Sequence, residues 1–336
     1  MKIVTWFLTA STIISMVSDG AVARDVYVSA DAAAGGNGGH QTPFRTLTEA
    51  RDAVRAARQE QVNDEPVTVH IGNGVYRLDA TFELTAEDGG SPEARITYRS
   101  EHPGQARLQG GITLNSNAFQ SVSDESIRSR LDAAVRDEVR VYDLSAVIPG
   151  AFEDFKIAYR GAPVGPWLYV NGQPMTIARW PNTDAAESGW AHFSKAFDTG
   201  LPEPESTDAA RHQARPGSFE FDDPRPARWN LEDGVWLQGY WTHDWSDEVI
   251  RVAAYDQQRH AITLAAPHNY GIMGKTWGAA KRRFFALNAL EELDAPGEWY
   301  LDRKRKQLYF YPADELQDAS IVLATLNLPL LKVTDA

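Results

Sequence analysis

The sequence contains no cysteine. Disulfide frameworks, thiolate zinc sites and anchoring through a lipid-modified cysteine are therefore excluded, and the fold must be held by packing and hydrogen bonds. Apolar runs long enough to span a bilayer are lacking too. The most apolar stretch, Ile3 to Val17, is interrupted by Thr and Ser and falls short of the ~20 residues a spanning helix needs. Basic charge is in deficit, with 33 Lys and Arg against 46 Asp and Glu and a formal net charge of -13. That balance argues against nucleic acid and membrane as partners. It argues only weakly against an acidic polysaccharide, because a local basic cleft can override the field of the whole molecule. No G-x-S-x-G, Walker or Rossmann fingerprint occurs, so nucleotide and serine-hydrolase chemistry has no support and no cofactor is expected.

What is present begins with an export signal. Lys2 precedes the apolar stretch, and Ala21-Val22-Ala23 has the small-residue pattern of a signal peptidase site. Residues 1–23 are therefore expected to be a signal peptide cleaved after Ala23, and the protein secreted or periplasmic.

Asp25 to Ser29 alternates like a strand, and Asp31 to Gly39 carries turn chemistry. Thr46 and Glu49 have capping-box spacing, and Leu47, Ala50, Ala53, Val54 and Ala57 share one helical face. Val67, Val69 and Ile71 then alternate, Gly72-Asn73-Gly74 turns, and Phe82 with Leu84, Ile96 with Tyr98, and Ala106 to Gln109 repeat the pattern. Short strands recurring at intervals of roughly thirty residues or fewer fit successive coils of a parallel β-helix whose first coil the helix caps. A β-sandwich is the competing architecture. Ser121 to Asp137 reads as a polar surface loop or helix. Every tryptophan except Trp6 falls between Trp167 and Trp299, which suggests an inserted β-rich module. Within it, the proline-bearing Asp198 to Arg228 reads as an irregular exposed loop. Ile321, Leu323 and Leu328 to Val333 resume solenoid-like strands and end without a cap, so the chain is expected to be the N-terminal part of a longer protein. The expected organisation is a signal peptide (1–23), a cap and first β-helix coils (24–158), an inserted Trp-rich antiparallel β-domain (159–313) and a return to the β-helix (314–336).

The sharpest polar cluster runs from Gly239 to Glu248, where aromatic and acidic side chains alternate. Sugars are bound by such a mixture, since apolar ring faces pack on aromatics while carboxylates accept hydrogen bonds from hydroxyls. As an extended strand it places Trp241, His243 and Trp245 on one face and Asp244 on the other. Trp241, His243, Asp244, Trp245 and Asp247 are accordingly the candidate substrate-binding residues. The alternative is a buried aromatic strand followed by a solvated acidic loop. Acids this close in sequence rarely face each other across the ~5 to 9 Å that glycoside cleavage requires, so no catalytic pair is assigned. His243, Asp244 and Asp247 match neither H-E-x-x-H nor a calcium loop, so no metal is expected.

Glu298 to Asp302 and Gln307 to Tyr311 flank a polar turn and read as a hairpin, with Trp299 and Leu301 on one face and Tyr300 on the other. Glu291, Glu292, Asp294 and Glu298 bracket Pro296-Gly297 and are expected to end a short helix and fix a turn. Lys281 to Arg283 and Arg303 to Lys306 read as solvated turns, either able to meet a uronate.

Taken together, DVYVSADAAAGGNGGHQTPFRTLTEARDAVR, VTVHIGNGVYRL, ITYRSEHPGQARLQGG, LYVNGQPMTIARWPN, VWLQGYWTHDW and FFALNALEELDAPGEWYLDRKRKQLYFYP resemble the right-handed parallel β-helix carbohydrate-active proteins. The resemblance is strongest to glycoside hydrolases of family 141, which include α-L-fucosidases and xylanases. It implies a secreted glycoside hydrolase acting on plant or algal polysaccharide, with its catalytic carboxylates on later coils, so none is carried over onto a residue of this chain. A polysaccharide lyase or epimerase of the same fold, or a non-catalytic carbohydrate-binding or adhesion module, are the alternatives.

Overall fold

Thr46 and Glu49 cap a helix reciprocally: the Thr46 amide donates to Glu49 Oε2 at 2.8 Å and the Glu49 amide to Thr46 Oγ1 at 3.1 Å. Helix α1 (Leu47–Gln59) buries Leu47, Ala50, Val54 and Ala57, leaving Ala53 partly exposed. The computed structural model describes residues 25–59, 65–92, 94–155, 158–160, 165–274 and 280–336. The expected signal peptide, residues 1–23, lies outside them. The chain divides into two units, residues 1–109 with 329–336, and residues 110–328.

In the first unit, alternating side chains build parallel ladders. Strands β1 (Asp25–Val28), β2 (Val67–Ile71) and β5 (Ile96–Ser100) pair side by side, with Val26 beside Val69 and Val69 beside Tyr98. Strand β3 (Gly74–Arg77) pairs with β6 (Ala106–Gln109), and β4 (Phe82–Leu84) pairs with Leu331–Val333, again in parallel. The chain thus runs through β2, β3 and β4 and then lays β5, β6 and Leu331–Val333 on them in the same order. Val26, Val28, Val69, Tyr76 and Phe82 point inward and pack with the buried face of α1.

The second unit is built differently. Its largest sheet orders Arg179–Trp180, Arg283–Leu287, Trp236–Tyr240, Asp247–Asp256, Ala261–Leu264, Ser218–Glu220 and Ala196–Asp198, paired antiparallel. One parallel pair, Thr176–Ile177 with Glu298–Trp299, interrupts the antiparallel pattern of the smaller sheets. The molecule is mainly β, and its sheets are mostly antiparallel.

The expected mainly β fold is met, whereas a right-handed parallel β-helix is not shown: the first unit has parallel ladders, but the sheets are mostly antiparallel. Residues 110–158, expected among those coils, belong to the second unit, because Gly111–Leu114 pairs antiparallel with Ile321–Ala324 and Arg140–Asp143 with Gln307–Phe310. Ile321–Ala324, expected to resume the solenoid, is likewise antiparallel to both its neighbours. Gly111 makes this departure possible. A Cβ there would lie 2.3 Å from the Leu323 carbonyl oxygen, so only glycine allows so close an approach of the two backbones.

The hairpin Glu298–Asp302 with Gln307–Phe310 divides its side chains as the alternation requires. Trp299, Leu301, Leu308 and Phe310 enter one core cluster, and Tyr300 and Tyr309 enter another. Asp198 to Arg228, expected to be irregular and exposed, is instead cross-linked: Arg215 bridges Asp198 at 2.7 Å, and Arg211 bridges Glu203 at 2.6 Å. Glu298 fixes the turn before it by accepting the Asp294 and Ala295 amides, each at 3.1 Å. Glu292, fully buried, accepts from Trp229 Nε1 at 2.8 Å and from Arg225 and Arg228. Glu292→Ala leaves the Trp229 N–H unpaired, while the two partly exposed arginines turn to water. The expected loss is about 1–2 kcal/mol, read from urea denaturation midpoints.

Candidate functional site

The segment Trp241 to Ser246 is a connecting loop, because Trp236–Tyr240 ends and Asp247–Asp256 begins on either side of it. The expected strand, and with it a shared face for Trp241, His243 and Trp245, is replaced by a turn that sends these side chains to different places. Trp241 is fully buried. Its indole covers Gly239, where a Cβ would meet the ring at 2.7 Å, and packs parallel to Phe284 at 6.2 Å between ring centres. Its Nε1 donates to the Glu248 carbonyl at 3.1 Å. A side chain so enclosed cannot touch a substrate, so Trp241 is withdrawn from the candidate contacts.

His243 and Trp245 do come together. Their rings stack at 5.0 Å with 10° between planes, and Tyr270 stands edge-on to both, 4.9 Å from His243 and 5.3 Å from Trp245. Trp245 is 46% exposed and Tyr270 37%, whereas His243 is buried beneath them. The guanidinium of Arg160 lies 4.8 Å from the Trp245 ring centre. The result is an aromatic platform at the surface with a cation beside it.

Tyr270 reaches the platform because Thr242 ties two loops together. Thr242 Oγ1 donates to the Gly271 carbonyl at 2.8 Å and accepts the Gly274 amide at 2.9 Å, while the Met273 amide donates to the Trp241 carbonyl. Behind the platform, Glu248 and His268 meet, Oε2 to Nε2, at 3.5 Å. Burial pushes the Glu248 carboxyl up to about 7 and pushes the His268 imidazole down.

Asp244 and Asp247 face a second, adjoining patch. Asp244 pairs with Arg283, whose guanidinium lies 4.2 Å from the Tyr240 ring centre and 5.1 Å from that of Trp190. Trp190 also packs edge-on to Phe285 at 4.9 Å. Asp247 sits across the ladder from Tyr240 and accepts from Gln238 at 2.9 Å. Arg283, expected in a solvated turn, is thus held between an acid and two aromatic rings. Half-buried aromatics alternating with Asp, Gln and Arg offer stacking faces together with hydrogen-bond donors and acceptors. Among the described residues, no group of three or more His, Asp or Glu is placed to hold a metal ion. No described helix is long and apolar enough to cross a membrane.

Sequence reasoning missed His268, Tyr270 and Trp190 as parts of this site, whereas Tyr240 lay within the cluster it singled out and Arg283 within a basic run it read as able to meet a uronate. Only a His-Asn-Tyr-Gly turn signal marked the first two.

Residues 246–313 match the model of the GH141 insertion domain. A solved structure titled "Glycoside hydrolase" has a similar fold: TM-score 0.61 at 18% identity, over 89% of this chain and 46% of that one. The chain therefore spans about half the length of that neighbour. A second structure, "The complex structure of XylC with xylose", aligns over 82% of this chain and 32% of its own at 11% identity; its TM-score of 0.29 is too low to bear on the fold. No curated protein matches the chain. The family-model match relates residues 246–313 to an insertion domain of glycoside hydrolases, and the structural likeness is one of fold.

Proposed function

We propose that this chain is part of a secreted glycoside hydrolase acting on a plant or algal polysaccharide, and that the platform of its second unit contacts the saccharide. The observation that carries this reading is the overlap between matched segment and site. Residues 246–313, which resemble the GH141 insertion domain, contain Asp247, Glu248, His268, Tyr270 and Arg283. On this reading the parallel ladders of the first unit are the opening coils of a right-handed β-helix, and the second unit is inserted between two strands of its second coil. Trp245 and Tyr270 stack on the apolar face of a sugar, while Asp244, Asp247 and Arg283 meet hydroxyls or a uronate at its edge. His243 supports Trp245 from beneath. The chemical step is not assigned to any residue of this chain.

The test is affinity electrophoresis of the purified chain in gels containing xylan, fucoidan or pectin. Retardation by at least one polysaccharide is expected, with Trp245→Ala weakening it roughly tenfold or more. Because Trp245 is half exposed, its thermal midpoint should stay close to that of the parent. Retardation that survives Trp245→Ala unchanged would remove this residue from the contact surface.

A further inference from the structure

The platform depends on a turn whose stapling ring has a buried acid at its back. The His268 to Gly271 turn is closed by the Gly271 amide, which donates to the His268 carbonyl at 2.9 Å, and by His268 Nδ1, 3.0 Å from the Gly271 carbonyl oxygen. A carbonyl can only accept, so this contact, the shorter of two at Nδ1, favours the ring proton on Nδ1 and a lone pair on Nε2. The Tyr270 amide donates toward the same Nδ1 at the longer distance of 3.2 Å, a contact that the opposite, Nε2–H tautomer would satisfy. The Nε2 lone pair faces Glu248 Oε2 at 3.5 Å, with the two side chains 0% and 8% exposed. Among the described residues, neither of those two atoms has a hydrogen-bond partner. Two buried acceptors in contact repel, and one proton between them turns the contact into a hydrogen bond.

We propose that Glu248 and His268 share one proton as a positioning pair: with Glu248 protonated and donating to Nε2, the turn holds Tyr270 against His243 and Trp245, and deprotonation loosens the platform. Burial favours the neutral acid and the neutral imidazole alike. Among the described residues, the surrounding titratable groups leave the pair to itself. His243, on the facing loop, lowers the affinity of His268 for a second proton. Asp247 lies across the ladder from Tyr240 and is engaged by Gln238, Asp244 is paired with Arg283, and Arg160 lies against Trp245. Glu248 and His268 are thus positioning residues, acting through Tyr270 without touching the sugar.

This inference rests on the saccharide-binding reading, so its test has one arm that needs no sugar. In ¹⁵N-histidine-labelled protein, with the His268 signals assigned by their loss in His268→Gln, His268 should show the Nδ1–H tautomer. Its Nε2 shift should titrate near pH 7 in the parent and not in Glu248→Gln. In the binding arm, the parent's affinity for the retarding polysaccharide should fall about fivefold or more between pH 6 and pH 8.5. Glu248→Gln, whose amide N–H can still donate to Nε2, should bind equally at both values, and Glu248→Ala should bind weakly at both. An Nε2–H tautomer, meaning that His268 donates to an ionised Glu248, overturns the proposal. So does a pH dependence of binding that Glu248→Gln leaves intact.

Discussion

Replacing Trp241 by alanine is expected to destabilise the protein by about 3–5 kcal/mol, the range seen for removing a fully buried large aromatic side chain. Trp241 is 0% exposed and packs against Phe193, Phe219 and Phe284, with ring centres 5.8 to 6.2 Å away. The substitution also removes the hydrogen bond to the Glu248 carbonyl and uncovers Gly239, whose lack of a side chain accommodates the indole. Backbone of the central strands would hold the shape of the void, so relaxation can recover little of the loss. Urea denaturation should show a large fall in midpoint for Trp241→Ala. The contrasting Trp245→Ala should leave the midpoint nearly unchanged and act on saccharide retention instead. A Trp241→Ala variant with parental stability but abolished retention would return this residue to the binding surface.

The second large effect is a dependence of stability on pH that traces to one carboxyl. Glu248 is held up to about 7 by burial, against 4.5 when solvated. A raised carboxyl pKa means that the folded protein binds more protons than the unfolded chain between those values. The stability contributed by neutral Glu248 is therefore full below about pH 4.5, declines as pH rises toward 7, and is gone above it. The shift corresponds to at most about 3 kcal/mol. Glutamine cannot ionise, so the difference in unfolding free energy between Glu248→Gln and the parent should move in the variant's favour by up to that amount from pH 4.5 to pH 8. Titrating groups other than its partner His268 are common to both proteins and cancel in the difference. A difference that stays constant across this window would mean that Glu248 ionises normally in the fold.

Local sequence carried much of the first unit. Thr46 and Glu49 announce α1 because both partners of the cap lie within one turn of chain. The apolar alternation of β1, β2 and β5 selects which side chains face inward, whatever the strands pair with. The hairpin around Arg303 to Lys306 is similarly self-contained, and its alternation separates Trp299 and Leu301 from Tyr300 before any long-range contact is considered. The fate of residues 110–158 was not local. Whether Gly111–Leu114 extends a parallel coil or joins an antiparallel sheet depends on Ile321–Ala324, some two hundred residues away, and on the missing side chain of Gly111.

The candidate site divides along the same line. Composition alone determined that aromatic and acidic residues crowd the stretch from Tyr240 to Glu248, that no thiol chemistry is available, and that the chain's net charge is strongly negative. Only the tertiary structure decided which of those rings face solvent. The pairing of Trp236–Tyr240 with Asp247–Asp256 makes a turn of the residues between them, and that turn drives Trp241 into the core while His243 and Trp245 stack above it. Tyr270, His268 and Arg283 come from other strands and loops, and they reach the site through pairings set by burial of the whole sheet. A periodic pattern encodes which face of an element is apolar, but which elements meet is a property of the packed core.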